Sequence, residues 1–155
     1  MGIEIERKFL LTSDAWRSDV SRSKELHQGY LAGSESASVR VRVEDEAANI
    51  NIKSATIGIE RLEFEYAIPL DEARVMLAEL CGGRSVRKIR HYVHVGSHTW
   101  EIDEFLDLNR DLIVAEIELT NAEEWFERPS WLGDEVSSDV RYYNVNLIEH
   151  PYSTW

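Results

Sequence analysis

The chain has 155 residues, 43% of them hydrophobic, and 17 basic against 29 acidic residues give a formal net charge of -12. This length and composition predict one domain with a hydrophobic core and exclude a second domain of ordinary size. The charge argues against nonspecific binding to nucleic acid or anionic membranes, although a locally basic cavity for an anion stays compatible with it. No apolar run approaches the roughly 20 residues that span a bilayer. The single cysteine, Cys81, excludes an intramolecular disulfide and, since no secretory signal is visible, favours a cytoplasmic location.

The first ten residues read as a strand. Side chains alternate along a strand, so Glu4, Glu6 and Lys8 share one face, while Ile5 and Phe9 lie on the other. Alternate residues are about 7 Å apart, close enough for the two carboxylates to repel unless a cation lies between them. A metal ion is the usual solution. Taken alone, the stretch fits an edge strand with a solvated face better than a metal site.

The elements that follow are short. Asp14 offers N-cap chemistry for a helix that ends near Val20. We expect a loop over residues 21–24 and then a strand over residues 25–31. Tyr30 lies on that strand, where a tyrosine most often packs in a core, so the position alone indicates no function.

Six further segments alternate between charged and apolar residues, and we predict a strand for each. They cover residues 38–44, 49–53, 59–68, 85–95, 98–106 and 112–120. In the first, Arg40 and Arg42 share a face. Two stacked arginines bind an anion if they face inward and form only a solvated surface if they face outward. The charged positions of the later segments are Lys53, Arg61, Glu63, Glu65, Lys88, Arg90, Glu101, Asp103, Glu116 and Glu118.

Helices are predicted between and after these strands. The first begins at Pro69 and is ended by Gly82, and its apolar stripe indicates core packing. A second begins at Asn121. The last follows Asp139 and stops at Pro151.

Eight two-faced strands with short helices predict an α+β fold, specifically an eight-stranded antiparallel β-barrel, which leaves no open sheet edge. The domain is expected over residues 1–151, with an extended segment over residues 131–136 and a tail over residues 152–155. The apolar faces are rich in large side chains, and the amphipathic helices need an apolar surface to pack against. We therefore expect the helices outside the barrel and the charged faces lining a central tunnel.

A charged tunnel is costly to build. Each ion buried without a partner costs several kcal/mol or more, and leucine and valine would fill the space more favourably if stability were its only purpose. A ligand with several phosphates requires many cations, and divalent metal ions require carboxylates. The two sets of side chains together predict a site for a metal and a polyphosphate.

The order of the charged pairs resembles the CYTH or triphosphate tunnel metalloenzyme superfamily. The pairs that carry the resemblance are Glu4-x-Glu6-x-Lys8, Arg40-x-Arg42, Arg61-x-Glu63-x-Glu65, Lys88-x-Arg90, Glu101-x-Asp103 and Glu116-x-Glu118. The similarity runs from residue 2 to about residue 151. Gln28-Gly29-Tyr30-Leu31 and the ending through Tyr143-Asn144 are similar to the short bacterial branch, and the resemblance also implies an eight-stranded antiparallel tunnel.

The resemblance implies hydrolysis of inorganic triphosphate to pyrophosphate and phosphate, with Mg²⁺ or Mn²⁺ as cofactor. The residues that it implies for binding the phosphates are Lys8, Arg40, Arg42, Lys53, Arg61, Lys88 and Arg90. Those that it implies for the metal are Glu4, Glu6, Glu65, Asp103 and Glu118. Lys8 and Tyr30 are similar to a lysine-tyrosine pair associated with triphosphatase activity. Glu63 and Glu116 are placed near a second ion or the attacking water.

Several alternatives stay open. A class IV adenylate cyclase would grip ATP in the same way, although the sequence shows no adenine-recognition signature, and a nucleoside or thiamine triphosphatase would differ in substrate. A noncatalytic polyphosphate sensor needs the cations more than the carboxylates, and a structural protein with solvated charged faces would bind no polyphosphate. We expect a small-molecule triphosphate as the partner and neither nucleic acid nor membrane, and the five tryptophans leave a homodimer open.

Overall fold

Nine strands and two α-helices make up the computed structural model, which describes residues 2–155. The strands are β1 (Ile3–Leu11), β2 (Val20–Gly33), β3 (Ala37–Glu44), β4 (Ala47–Ser54), β5 (Glu60–Ala67), β6 (Ser85–Val95), β7 (His98–Phe105), β8 (Ile113–Leu119) and β9 (Leu132–Glu135). The helices are α1 (Leu70–Glu79) and α2 (Asn144–Glu149), and short 3-10 helices cover Ala15–Asp19, Asp107–Asn109, Val140–Tyr142 and Tyr152–Thr154. Residue 1, where the predicted first strand and domain begin, lies outside the described residues.

The strands form a closed antiparallel barrel. They neighbour one another in the order β5-β4-β3-β2-β6-β7-β8-β1-β9, and β1 also pairs with β5. This last pairing closes eight strands into a ring and confirms the predicted barrel. The closing strand is β1, whose start pairs with β5, its middle with β8 and its end with β9. Closure gives both edges of the sheet a backbone partner.

Helix α1 covers the outer face of β3 and β4, as its apolar stripe predicts. Ala73 of this helix belongs to one buried cluster with Val41 and Ala48. Gly29 of β2 lies beneath the end of the helix, where an added Cβ atom would be 2.6 Å from Cys81 Sγ. A glycine is therefore required for the strand and the helix to approach this closely.

Aromatic side chains cover the opposite outer face. Trp100 is fully buried, and its ring meets those of Phe9, Phe126 and Trp131 edge to face, with centroid distances of 5.6, 5.7 and 5.6 Å. Each such pair contributes about 0.5–1.5 kcal/mol beyond the apolar area that it buries. This cluster is the larger hydrophobic core of the domain, and it lies outside the barrel.

The helix predicted from Asn121 is wrong. The Asn121 side chain accepts a hydrogen bond from the Glu123 N–H (2.9 Å), and the Glu124 carboxylate accepts one from the Thr120 N–H (2.7 Å). Bonds of this type compete with helical hydrogen bonds and hold the chain in a turn. The segment that follows runs across the barrel, and burial of Phe126 in the aromatic cluster outweighs local helix preference.

The loop predicted over residues 21–24 is also wrong, because these residues belong to β2. Ser23 pairs with His91, and Lys24 pairs with Arg90, both on β6. The polar composition of the segment is typical of a loop, but β6 supplies pairing partners for Arg22, Ser23 and Lys24, with an irregularity at Ser21. The long strand β2 is thus determined by its neighbour.

The two end segments differ in detail from the predictions. The helix expected after Asp14 is a 3-10 helix that ends at Asp19. The last predicted helix is divided: Asp139 accepts a hydrogen bond from the Arg141 N–H (3.1 Å) at a 3-10 turn, and α2 begins only at Asn144. No helix of the described residues 2–155 is long and apolar enough to cross a membrane.

Side chains from the C-terminal segment fill one end of the barrel. Leu147 and Tyr142 form a buried cluster with Val86, Phe105 and Val114, which occupy inward positions of β6, β7 and β8. The interior is therefore charged along most of its length and apolar at this end.

The packing of the last residues, which the sequence leaves open, is visible in the structure. The Tyr152 N–H donates to Asn109 Oδ1 (2.8 Å), and the Trp155 ring meets the Tyr142 ring at a centroid distance of 5.0 Å. The segment expected to form a tail thus lies against the filled end of the barrel.

Candidate functional site

The barrel encloses a cavity of about 700 Å³. Every site residue predicted from the sequence lines it, with the exception of Asp103. Five of its cations are almost fully buried, with exposures between 1% and 9%: Lys8, Arg40, Arg42, Lys88 and Arg90. The charged faces of the strands therefore point inward, and the cations that could hold an anion are shielded from solvent.

Asp103 lies at the wall of the cavity, beneath two of these cations. It is fully buried, and one of its oxygens accepts a hydrogen bond from Lys88 Nζ (2.7 Å). Arg90 donates Nε to the other oxygen (2.7 Å) and a terminal nitrogen to the first (2.9 Å). Both oxygens of Asp103 are occupied by protein cations, which fixes the direction of the two basic side chains.

Burial and neighbouring charges shift the pKa values of the buried cations in different directions. Burial lowers the pKa of Lys88 to about 8, although Asp103 opposes the change. Burial and the charges of Arg40 and Arg90 lower the pKa of Arg42 to about 10. For Arg90 the balance is reversed: burial alone would lower its pKa, but Asp103 and Glu101 hold it well above the usual range. Lys88 is therefore the cation most easily discharged near neutral pH.

A network of amides links three phosphate-binding candidates. Gln28 is fully buried, and its oxygen accepts a hydrogen bond from Arg42 Nε (3.1 Å). Its amide nitrogen donates to Asn144 Oδ1 (3.1 Å), and the same oxygen of Asn144 accepts from Lys88 Nζ (2.9 Å). Asn144 is the first residue of α2. The C-terminal helix is thus connected to Arg42, Lys88 and, through Asp103, Arg90.

On the other side of the cavity, Lys53 bridges two carboxylates. Its Nζ lies 3.1 Å from an oxygen of Glu4 and 3.0 Å from an oxygen of Glu63. Burial raises the pKa of Glu4 despite the attraction of Lys53. Burial also acts to raise the pKa of Glu63, but Lys53 outweighs it and the net change is a decrease. The two acids respond differently to one shared cation, because Glu4 is the more deeply buried.

Glu116 lies between Lys8 and Arg90. Its two oxygens are 3.4 Å from Lys8 Nζ and 3.5 Å from a terminal nitrogen of Arg90. Burial alone would raise its pKa, yet the two cations hold the pKa of Glu116 well below its usual range. Glu116 is therefore ionised at neutral pH.

Glu6 and Glu118 form the acidic part of the cavity that lacks a basic partner. They stand directly opposite each other in the register of β1 and β8. No lysine, arginine or histidine within residues 2–155 forms an ion pair with either carboxylate. Burial, followed by the charges of Glu116 and Glu4, raises the pKa of Glu6 well above its usual range. A divalent cation would relieve this repulsion, and carboxylate oxygens are the ligands that Mg²⁺ and Mn²⁺ prefer.

The carboxylates of the cavity do not converge on one point. In the described part of the chain, no three His, Cys, Asp or Glu side chains lie close enough together to hold a metal ion. Glu4 is turned towards Lys53 and Glu116 towards Lys8. The donor chemistry thus fits a divalent ion, while the present side-chain positions satisfy the acids with protein cations.

Lys8 and Tyr30, predicted as a functional pair, both line the cavity. Tyr30 stands opposite Arg40 in the register of β2 and β3. Lys8 Nζ donates to the Tyr142 carbonyl oxygen (3.3 Å) and lies 5.5 Å from the centre of the Tyr143 ring. Among residues 2–155, no hydrogen bond joins Lys8 to Tyr30. The structure places the lysine nearer to the C-terminal segment.

Sequence reasoning missed three residues that contact the site: Gln28, Tyr143 and Asn144. A signal existed for Gln28, since it shares a strand face with Tyr30. Tyr143 and Asn144 sit where a helix was expected, and helical periodicity says nothing about which residue enters a distant barrel. Only the path of the C-terminal segment across the barrel brings these two residues to the cavity.

Comparisons with known proteins agree with this geometry. The CYTH domain family matches residues 2–152. An inorganic triphosphatase of Acetivibrio thermocellus is 41% identical over 155 residues, which cover 100% of this chain and 99% of that protein. An inorganic triphosphatase of Nitrosomonas europaea is 32% identical over 148 residues, with 93% of this chain and 95% of that protein covered.

Solved structures share the fold. The crystal structure of the inorganic triphosphatase NE1496 matches with a TM-score of 0.67 at 29% identity, covering 94% of this chain and 93% of that one. The PH1012 protein from Pyrococcus horikoshii matches with a TM-score of 0.61 over 77% of this chain and 80% of that one. At 19% identity, the second match is evidence for the fold alone.

Proposed function

The chain belongs to the CYTH domain family, and from this premise we propose that it hydrolyses inorganic triphosphate to pyrophosphate and phosphate inside the barrel. The observation that carries the proposal is the set of five buried cations around one cavity, Lys8, Arg40, Arg42, Lys88 and Arg90. Buried cations in such number are unfavourable unless anions join them. A relative that is 41% identical over its whole length is an inorganic triphosphatase, which supports this choice of anion.

We propose that the cations bind the phosphates and neutralise the charge that develops during phosphoryl transfer. Little covalent chemistry is required of the protein in phosphoryl transfer, so positioning and electrostatics dominate. Arg42, Lys88 and Arg90 are held in place by Gln28 and Asp103 before any ligand arrives. Preorganised charges lose little free energy in reorientation when substrate binds.

We propose that Glu63 and Glu116 are the carboxylates near the attacking water. The pKa of each lies below its usual range, so both are ionised at neutral pH and able to orient water and accept its proton. Attack forms one bond from the water oxygen to the terminal phosphorus. The bond to the bridging oxygen breaks, and pyrophosphate leaves with that oxygen. In this proposal Lys8 and Tyr30 contact the phosphates from β1 and β2.

Mg²⁺ or Mn²⁺ is the proposed cofactor. Glu6 and Glu118 would hold the ion, together with Glu4, because Glu6 and Glu118 are paired in the β1–β8 register and lack a basic partner, and Glu4 shares the strand face of Glu6. Glu65 is also retained as a proposed ligand, since it lines the same cavity. When bound, the ion supplies a Lewis acid that neutralises charge on phosphate oxygens.

For Asp103 we prefer a positioning role to the predicted role of metal ligand. Its oxygens already accept three short hydrogen bonds from Lys88 and Arg90. A metal ion at Asp103 would have to displace one of these cations and break a fully buried ion pair, which is unfavourable.

The test is phosphate release from inorganic triphosphate, ATP and thiamine triphosphate, each with Mg²⁺, Mn²⁺ or EDTA. We expect release from inorganic triphosphate, well above that from ATP, and none with EDTA. Replacing Arg40 and Arg42 with alanine should abolish both binding and release, whereas Glu104→Gln, on the outer face, should leave both unchanged. Conversion of ATP to a cyclic nucleotide would instead support the cyclase, and tight binding without turnover would support the sensor.

We also propose a homodimer and a cytoplasmic location. The outer face of β5 exposes Leu62, Phe64 and Tyr66, which are 51%, 42% and 58% exposed, and apolar surface of this kind is typical of an interface. Light scattering would distinguish the monomer of 17.9 kDa from a dimer of twice that mass. The single cysteine supports a reducing compartment, and fractionation of the source cells would test it.

A further inference from the structure

Tyr143 joins three parts of the barrel that are distant in sequence. It precedes α2 and lines the same cavity as the phosphate-binding cations. Its hydroxyl donates to the Ser137 carbonyl oxygen (2.8 Å) and accepts from the Gly58 N–H (3.1 Å). Its ring lies 5.1 Å from the guanidinium carbon of Arg61 and 5.5 Å from Lys8 Nζ. No role assigned above to the cavity residues explains this arrangement.

Arg61 packs its guanidinium group against this ring. It stands opposite Glu4 in the register of β1 and β5, but the oxygens of Glu4 are directed to Lys53 (3.1 and 3.4 Å). Within residues 2–155, Arg61 forms no ion pair or side-chain hydrogen bond. A long, unpaired arginine loses much rotamer freedom on binding a ligand, and a cation–π contact offsets part of that loss beforehand.

The hydroxyl of Tyr143 holds the middle of the loop between β4 and β5. The ends of this loop are fixed by backbone bonds, Ala55 N–H to the Ser36 oxygen (3.0 Å) and Glu6 N–H to the Ile59 oxygen (2.8 Å). Between these ends, Gly58 has a φ of +118°, a conformation that glycine adopts readily and other residues rarely. This turn directs the Gly58 N–H to the Tyr143 hydroxyl.

The loop forms part of the cavity wall. Thr56 and Ile57 line the cavity, although the Ile57 side chain is 65% exposed, so the loop lies at a mouth of the barrel. The hydrogen bond from the Gly58 N–H to the Tyr143 hydroxyl therefore joins this part of the wall to the C-terminal segment.

We propose that Tyr143 is a positioning residue for triphosphate binding: its ring orients Arg61 towards the cavity, and its hydroxyl keeps the loop over residues 55–59 closed against the C-terminal segment. This inference rests on the function proposed above. The two halves of the side chain have separate tasks, so two substitutions separate them. Tyr143→Phe removes the hydroxyl and keeps the ring, and Tyr143→Leu removes both.

The experiment measures KM and kcat for inorganic triphosphate together with hydrogen exchange at the Gly58 amide. For Tyr143→Phe we expect a KM about fivefold higher, a kcat within about twofold of the wild type, and faster exchange at Gly58, as for loss of one hydrogen bond. For Tyr143→Leu we expect a further rise in KM of about threefold, since the cation–π contact is also lost. That further rise should be smaller when Arg61 is already alanine, because the ring then has only the contact with Lys8 left to lose.

The adjacent Tyr142→Phe is the matched control. Its hydroxyl forms no hydrogen bond within the described chain, and its ring packs against Trp155, so we expect wild-type KM and wild-type exchange at Gly58. Unchanged KM in both Tyr143 variants would overturn the proposal. An equal effect of Tyr143→Leu with and without Arg61 would overturn the part that concerns the ring.

A binding measurement separates this inference from the proposed function. Calorimetry with imidotriphosphate, which resists hydrolysis, reports affinity whether or not the protein is a hydrolase. If the wild type releases no phosphate but Tyr143→Phe weakens binding and speeds Gly58 exchange, the proposed reaction fails and the positioning role stands. If the wild type is active and binding by the variants is unchanged, the positioning role alone is refuted.

Discussion

Asp103→Asn tests whether Asp103 balances the charge of the buried Lys88 and Arg90. The substitution keeps the size of the side chain but removes the carboxylate charge that pairs with both Lys88 and Arg90 at the wall of the cavity. Asparagine accepts hydrogen bonds through one oxygen only. Its amide nitrogen, a donor, takes the place of the other carboxylate oxygen of Asp103. Two buried ion pairs are therefore lost, although Lys88 keeps the Asn144 oxygen and Arg90 keeps the carboxylates of Glu101 and Glu116.

Removing one partner of a buried ion pair costs about 3–5 kcal/mol. Asp103 is fully buried and serves two cations, so we expect a loss of about 4 kcal/mol, a large share of a typical unfolding free energy of about 5–15 kcal/mol. The effect depends on pH in a defined direction. Burial alone would raise the pKa of Asp103, but Arg90 and Lys88 lower it below its ordinary value of 3.8. The stabilisation is thus complete above pH 3.8 and is lost as the pH falls through the folded-state pKa.

Urea unfolding, followed by tryptophan fluorescence, measures this loss, since Trp16, Trp100 and Trp131 are all buried. A loss of about 4 kcal/mol lowers the midpoint by about 2 M at a typical slope of about 2 kcal/mol per M. The control is Glu104→Gln, one residue along β7, whose partly exposed ion pair with Arg17 contributes at most about 1 kcal/mol.

Two results would refute the reasoning. If Asp103→Asn unfolds at the wild-type urea concentration in EDTA, Asp103 does not balance the two cations. If the variant is destabilised only in the presence of Mg²⁺, Asp103 is a metal ligand, as the sequence pattern first suggested.

Three further predictions concern the metal, the pH response and the outer packing. Mg²⁺ at about 100 times its Kd should raise the unfolding free energy by about 2.7 kcal/mol, and Glu6→Gln should reduce this gain in thermal melts compared with EDTA. Because the pKa of Lys88 is about 8, kcat/KM should fall as the pH rises through that value, and Lys88→Arg should move the fall to higher pH in a rate profile. Gly29→Ala should lower stability by about 1–3 kcal/mol in urea unfolding, since the new methyl group meets Cys81 and Leu77; wild-type stability would show that α1 can shift at no cost.

The alternation of charged and apolar residues was enough to predict the barrel. Each strand carries two chemically different faces, and that pattern has a period of two whatever the neighbouring strand is. The direction of the faces followed from a further argument, namely that large apolar residues need cover and that the helices lie outside. The structure confirms both, with Trp100 in an outer core and Arg90 in the cavity.

The errors have a common cause. Residues 21–24 look like a loop and are a strand, and the segment after Asn121 looks like a helix and is a turn. In each case a contact distant in sequence outweighs the local preference: pairing with β6 in the first, burial of Phe126 in the second. Local propensities are smaller than the free energy of such contacts.

Strand periodicity, a local property of the chain, groups the residues that share a face, and the need to cover large apolar side chains turns the charged faces inward. Which of these residues pair depends on the tertiary structure. Asp103 is predicted as a metal ligand but lies beneath Lys88 and Arg90, and Tyr143 is not predicted as a site residue but contacts Arg61. Partners around a barrel come from strands far apart in sequence, and their register is fixed only when β1 closes on β5 and the C-terminal segment crosses the end. Ion pairs depend on distances of a few ångströms, which no pattern along a single strand contains.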